Sequence, residues 1–243
     1  MAFFSRKLHQ FTYFSLQLGE RDWSNKVVLD FGGNIGNLLR DPRSTLREKN
    51  YTCIDVCAEA VAAGSRAFPT AHWHHYNRHC FFFNPHGVPS LPLPDLQQGY
   101  DYIVAYSVFT NTPRSDMFEL VDALTRLLKP NGKLAFTFID PHYHSWPEKY
   151  PGNNLRWRLQ RDSPDIDCDA LLQQAKQANW CILINGRDLY TDSEKTNVYR
   201  PEQQKTHHVF YTATYMQRLY PQASILAPVN DEMQHCCILT RLD

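Results

Sequence analysis

Hydrophobic and polar positions along the chain fall into two rhythms that take turns. Residues 1–19 place Phe4, Leu8, Phe11, Phe14 and Leu18 three or four positions apart, the spacing of an amphipathic helix, so residues 1–24 read as an N-terminal cap. KVVLDF (26–31) is a short β-branched apolar run that leads into GGNIGN, a strand followed by a tight turn. Helical material follows over 37–48, interrupted by Pro42. YTCID (51–55) predicts a second strand, AEAVAAGSRAF (58–68) a helix, and AHWHHYN (71–77) a third strand. Residues 78–99 hold Pro85, Pro89, Pro92 and Pro94 and read as loop. DYIVAYSVF (101–109) is a fourth strand. MFELVDALTRLLK (117–129) is an amphipathic helix with Ser115 as its cap and Pro130-Asn131-Gly132 as its stop. KLAFTFID (133–140) is a fifth strand.

Strands alternating with helices predict a parallel sheet with right-handed crossovers, an α/β fold of the Rossmann-like doubly wound type. After residue 140 the rhythm changes. Residues 141–209 offer one helix candidate at 169–178, one apolar run at 180–184 (WCILI), and polar and aromatic loop. A helix at 212–219 and strands at 222–228 and 234–241 then restore the pattern. The joint between the two strands is short enough for a hairpin, so the last strand should run antiparallel. Residues 1–243 therefore read as one domain, a mostly parallel sheet with a capping insert at 141–209.

Chemistry gathers where the first two strands end. Asp30 closes the first strand and is followed by Gly32, Gly33, Asn34 and Gly36. Glycines let the backbone approach a ligand closely, and Asn tolerates left-handed dihedrals. Asp55 closes the second strand, where a carboxylate can accept hydrogen bonds from both hydroxyls of a ribose. A dinucleotide fingerprint starting at Gly32 would need glycine at 34 and 37, and both positions are asparagine. There is no G-x-x-x-x-G-K-[ST] phosphate loop either.

The turn Asp30-Phe-Gly32-Gly33-Asn34-Ile-Gly36 resembles the first motif of class I S-adenosylmethionine (SAM) dependent methyltransferases, D-x-G-x-G-x-G, with Asn34 in place of the middle glycine. Asp55 matches the family's acidic residue on the second strand. GYDYIVAYSVFTNTP (99–113) looks like its fourth strand, and LLKPNGKLAFTFID (127–140) is similar to its fifth-strand entry. The closing helix, strand and hairpin match its reversed last strand. The resemblance covers residues 25–140 and 210–241. It implies SAM as cofactor. The methionine part would lie on Asp30, Gly32, Gly33, Asn34, Gly36 and Asn37, with Tyr106 and Ser107 beside it. The ribose would lie on Asp55 and Val56, and the adenine on Tyr76 and Asn77, where the family often has an acidic residue.

The methyl acceptor must be met elsewhere. Tyr13 and Phe14 of the N-terminal helix, and Tyr143, Trp146, Arg156 and Trp157 of the insert, are the substrate-side candidates, although most N-terminal aromatics also suit a core. His142 and His144 directly follow the fifth strand, where an imidazole can accept a proton as the methyl group moves. Methyl transfer is also driven by alignment alone, so a base is not obligatory. His72, His74, His75, His79 and Cys80 form a metal-like cluster, but strand alternation puts His72 and His74 on one face and His75 on the other, so no metal is expected.

Charge narrows the partners. Lys+Arg is 25 and Asp+Glu is 25, which gives no global attraction to a nucleic acid. No N-P-P-[YF]-like tetrapeptide follows the fourth strand, which disfavours amino-methylation of DNA. No apolar run is long enough to span a bilayer, and Arg6, Lys7 and His9 break the N-terminus where a signal peptide would be apolar. Seven irregularly spaced cysteines suit reduced thiols in a cytoplasmic protein. The expected partner is a small-molecule acceptor, a natural product among the options. A peptide or RNA acceptor, or a non-catalytic SAM-binding module, are the alternatives.

Overall fold

The computed structural model describes residues 9–96, 98–142, 167–184, 188–191, 207–229 and 234–242. The order is α1 (Gln10–Leu18), β1 (Val28–Phe31), α2 (Asn37–Arg40), β2 (Tyr51–Asp55), α3 (Ala58–Ala67), β3 (His72–His75), β4 (Tyr100–Ala105), α4 (Arg114–Arg126), β5 (Leu128–Phe138), α5 (Cys168–Gln177), β6 (Trp180–Ile184), β7 (Asp188–Thr191), β8 (His207–Tyr211), α6 (Ala213–Leu219), β9 (Ser224–Leu226) and β10 (His235–Thr240).

Seven strands form one sheet in the order β3-β2-β1-β4-β5-β10-β9. The first five are parallel, and β10 runs antiparallel to both β5 and β9. This is a Rossmann-like arrangement. The strand order reverses between β1 and β4, the crevice where open α/β sheets bind ligands. Every residue of β1 and β2 is buried, because both faces of the sheet are covered. On one face, α1 and α2 bring Phe11, Phe14, Leu18 and Leu38 against Val28, Tyr51 and Val104. On the other, α4 and α6 bring Met117, Leu120, Leu124 and Met216 against Leu29, Ile103 and Phe136.

Several elements differ from the sequence pattern: α2 spans only Asn37–Arg40 of the helix expected over 37–48, and β5 starts at Leu128, so Pro130-Asn131-Gly132 lies within it. Helix α4 starts at Arg114, with Pro113 in the cap position, so Ser115 lies inside the first turn and does not cap it. Proline's fixed φ suits a helix entry, with Pro113 at −55°, and Ser115 lies two residues before the apolar stripe begins at Met117. The run WCILI is not an isolated strand. It is the centre of a three-stranded antiparallel sheet, β7-β6-β8. Trp180, Ile182, Val209 and Tyr211 face the main core, while Cys181, Leu183 and Phe210 face α5. The alternation in β8 was masked by its short length and by the two histidines at its start.

Candidate functional site

The β1–α2 turn is built around positive φ. Gly32 and Gly36 sit at 77° and 83°, and Asn34 at 55°, a value asparagine tolerates where larger side chains do not. Gly33 has no room for a side chain, since a Cβ would lie 2.6 Å from Asp30 Cγ. The turn uses its amides internally. Asn34 N–H donates to Asp55 Oδ2 at 2.8 Å, Ile35 N–H to Asn34 Oδ1 at 2.8 Å, and the N–H groups of Gly36 and Asn37 to Gly33 O at 3.0 and 3.2 Å. These four amides leave no cradle for the pyrophosphate of a dinucleotide.

The turn is instead flanked by carboxylates. Asp55 lies at the carboxyl end of β2, and its second oxygen accepts from Cys57 N–H at 2.8 Å. The Asn34, Val56 and Cys57 amides all donate to Asp55, and its two carboxylate oxygens keep lone-pair capacity for a further donor. Burial raises its pKa, an effect that the Cys57 and Asn34 amides oppose. Asp30 is buried beneath the turn and accepts from Tyr51 Oη at 2.7 Å. Burial pushes the Asp30 carboxyl up to about 7, against the Tyr51 hydrogen bond and with a contribution from Asp55.

Past β4, Tyr106 is buried and packs edge-on to Tyr13, with ring centroids 5.4 Å apart. Ser107 is half-buried and left-handed, with φ 59°. Its N–H donates to Thr137 Oγ1 at 2.7 Å, and its hydroxyl oxygen accepts from Gln234 Nε2 at 3.1 Å. Thr137 and Gln234 belong to this edge but escaped the sequence reading. Thr137 looks like an ordinary strand residue, and Gln234 stands 97 positions away from it.

Some predicted residues lie elsewhere. Tyr76 is not a platform for a base. Its ring is 2% exposed in the core beside Phe31, and its hydroxyl donates to Leu91 O. Asn77 is exposed, and its side-chain oxygen already accepts from Asn84 Nδ2 at 3.0 Å. Val56 O lies 3.3 Å from His75 Nε2. Tyr13 and Phe14 are buried at 2% and 0%, packed inward rather than lining an open pocket. Their stripe faces the sheet because β1 and β2 present apolar faces to it. His142 is exposed, just past β5, and its N–H donates to Asp140 Oδ1 at 2.7 Å. Asp140 also accepts from Ala213 N–H at 2.7 Å, so both its oxygens hold backbone. Tyr143, His144, Trp146, Arg156 and Trp157 lie outside the described residues. His72 and His75 are exposed, and among the described residues no three His, Cys, Asp or Glu side chains are grouped to hold a metal ion.

Comparison with known proteins identifies a domain within the chain. Residues 29–134 match the family described as a methyltransferase domain. No curated protein matches the chain. Among solved structures, a putative SAM-dependent methyltransferase from Listeria monocytogenes is similar with a TM-score of 0.55 and 14% identity, over 97% of this chain and 98% of that one. A SAM-dependent methyltransferase from Mesorhizobium loti gives 0.51 and 13% identity, over 95% and 98%. The SAM-dependent methyltransferase SibL gives 0.52 and 14%, over 96% of this chain, which spans 55% of that enzyme's length. The methyltransferase-domain match covers residues 29–134, and the sheet order is that of a Rossmann-like fold, which supports SAM as the methyl donor. The donor set suits that cofactor. Lone pairs on Asp55 match ribose hydroxyls, a buried acid lies under the turn, and the amides that would hold a phosphate are occupied.

Proposed function

We propose that the chain methylates a small molecule in a pocket at the carboxyl ends of β1, β4 and β5. The observation that carries this reading is the accessory sheet. Val209 N–H of β8 donates to Thr110 O at 2.9 Å, just past β4, and Tyr211 N–H donates to Ile139 O at 3.0 Å, just past β5. The insert is thereby fastened at the sheet edge where an acceptor would enter, which suits an enclosed acceptor more than a long polymer. The balance of 25 basic and 25 acidic residues supports the same choice, because a polyanion gains no general attraction.

The bound cofactor supplies a methyl group on a sulfonium. The chain's task is alignment. Asp55 would hold the ribose hydroxyls through its free lone pairs, and Val56 would lie beside it. Asp30 would complement positive charge from beneath the turn of Gly32, Gly33, Asn34 and Gly36, with Asn37 at its exit. Tyr106 and Ser107 would border the reacting end. In-line displacement gains most from such positioning. His142 stands at the same edge and is the described candidate for taking up the proton of an acceptor hydroxyl or amine. His144 is a second such candidate by sequence.

The reading is tested by incubating the protein with methyl-labelled SAM and a cell extract split by size. Label is expected in the small-molecule fraction. Label confined to peptide or RNA would contradict it. Cofactor binding with no transfer to either fraction would favour a binding module.

A further inference from the structure

Four polar side chains from distant parts of the chain meet past β4. Ser107 carries a Cβ yet holds φ at 59°, a conformation that its surroundings must enforce. Its N–H donates to Thr137 Oγ1 at 2.7 Å. Thr137 is fully buried, and its hydroxyl donates to Gln234 Oε1. Gln234 Nε2 donates back to Ser107 Oγ at 3.1 Å, which closes the circuit. Ser107 Oγ also lies 3.1 Å from Thr110 Oγ1. Thr110 Oγ1 can also give its hydrogen to Ser107 O, at 3.0 Å.

With the Thr110 hydrogen on Ser107 O, the Ser107 hydroxyl donates to Thr110 and accepts from Gln234. One lone pair on Ser107 Oγ is then left to accept an N–H or O–H from a ligand. The strand order says which part of a cofactor arrives. Neighbouring strands lie about 4.8 Å apart. With the nucleoside on Asp55 at the end of β2, the molecule crosses β1, and its amino-acid end reaches β4. That end carries an ammonium.

We propose that Thr137 and Gln234 are positioning residues that fix Ser107 Oγ as the hydrogen-bond acceptor for the ammonium of the cofactor's amino-acid end. The inference rests on the reading of Asp55 as the nucleoside site. Tyr13 Oη donates to Gln234 O at 2.9 Å, so the N-terminal helix is tied to the same node.

Calorimetry with two ligands tests it. S-adenosylhomocysteine has the amino-acid end; methylthioadenosine keeps the nucleoside and thioether but lacks it. Thr137→Val and Gln234→Met should each weaken S-adenosylhomocysteine about tenfold, the effect of one charge-assisted hydrogen bond. Thr137→Ser keeps the hydroxyl and should stay within about twofold of the native protein. Methylthioadenosine should bind all variants as it binds the native chain, which also reports that they are folded. Unchanged S-adenosylhomocysteine binding in both disruptive variants would overturn the proposal, as would equal losses for the two ligands. Failure of methylthioadenosine to bind the native protein would instead overturn the nucleoside reading beneath it.

Discussion

Asp30 is a carboxyl group that the fold keeps from water, and this has a measurable consequence. Its pKa rises from near the ordinary 3.8 to about 7 on folding, chiefly through burial. Stability from the protonated form is fully present below the unfolded value and is lost as pH rises through 7. Asp30→Asn keeps an acceptor for Tyr51 without the charge. Its melting temperature should gain on that of the native protein between about pH 4 and 7 and level off above, with a limit on the order of a few kcal/mol. A pH-independent difference would show that Asp30 does not titrate there. Asp30 and Asp55 were legible as residues because each ends an apolar run. Tyr51 as a partner was less so, although alternation places it on the Asp30 face, through its pairing with Val28. Tyr76 misled because an aromatic beside a polar residue at a strand end looks the same whether it turns outward or in.

At the scale of elements, one side chain ties the segment after β3 to α4. Arg78 is 4% exposed and grips Glu119 of α4 with both terminal nitrogens, at 3.0 and 3.1 Å. It also pairs with Asp116 at 2.9 Å and donates to Leu91 O at 2.9 Å. Arg78→Met should cost about 2–3 kcal/mol in urea unfolding, less than a fully buried pair because both acids stay partly wet. A loss below about 0.5 kcal/mol would mean the segment is held by other contacts. Helix α1 makes a second prediction. Phe14 is fully buried, so Phe14→Ala should cost about 3–5 kcal/mol of stability. A variant of native stability with a weakened acceptor KM would restore Phe14 to the substrate site. The apolar runs of β1, β2 and β4, bounded by turn residues, and the helical spacing of α3 made those elements readable from sequence. The short strands β7 and β8 were not, because four or five residues do not define a period and their partner is brought by tertiary pairing.

Across the whole molecule, the parallel sheet and its reversed last strand followed from the order of apolar runs and turns. The accessory sheet arose from contacts no local pattern encodes. Among the described residues, no helix is long and apolar enough to cross a membrane. What unites the scales is a crevice that offers hydrogen-bond acceptors and withholds free amides. Such a site should choose a nucleoside that brings hydrogen-bond donors over an anionic dinucleotide. The direct measurement is a calorimetric titration of the native chain and of Asp55→Asn with S-adenosylhomocysteine and with NAD. S-adenosylhomocysteine should bind the native chain, NAD should not, and Asp55→Asn should weaken the former at least about tenfold. Binding of NAD, or affinity for S-adenosylhomocysteine that is indifferent to Asp55, would contradict the assignment.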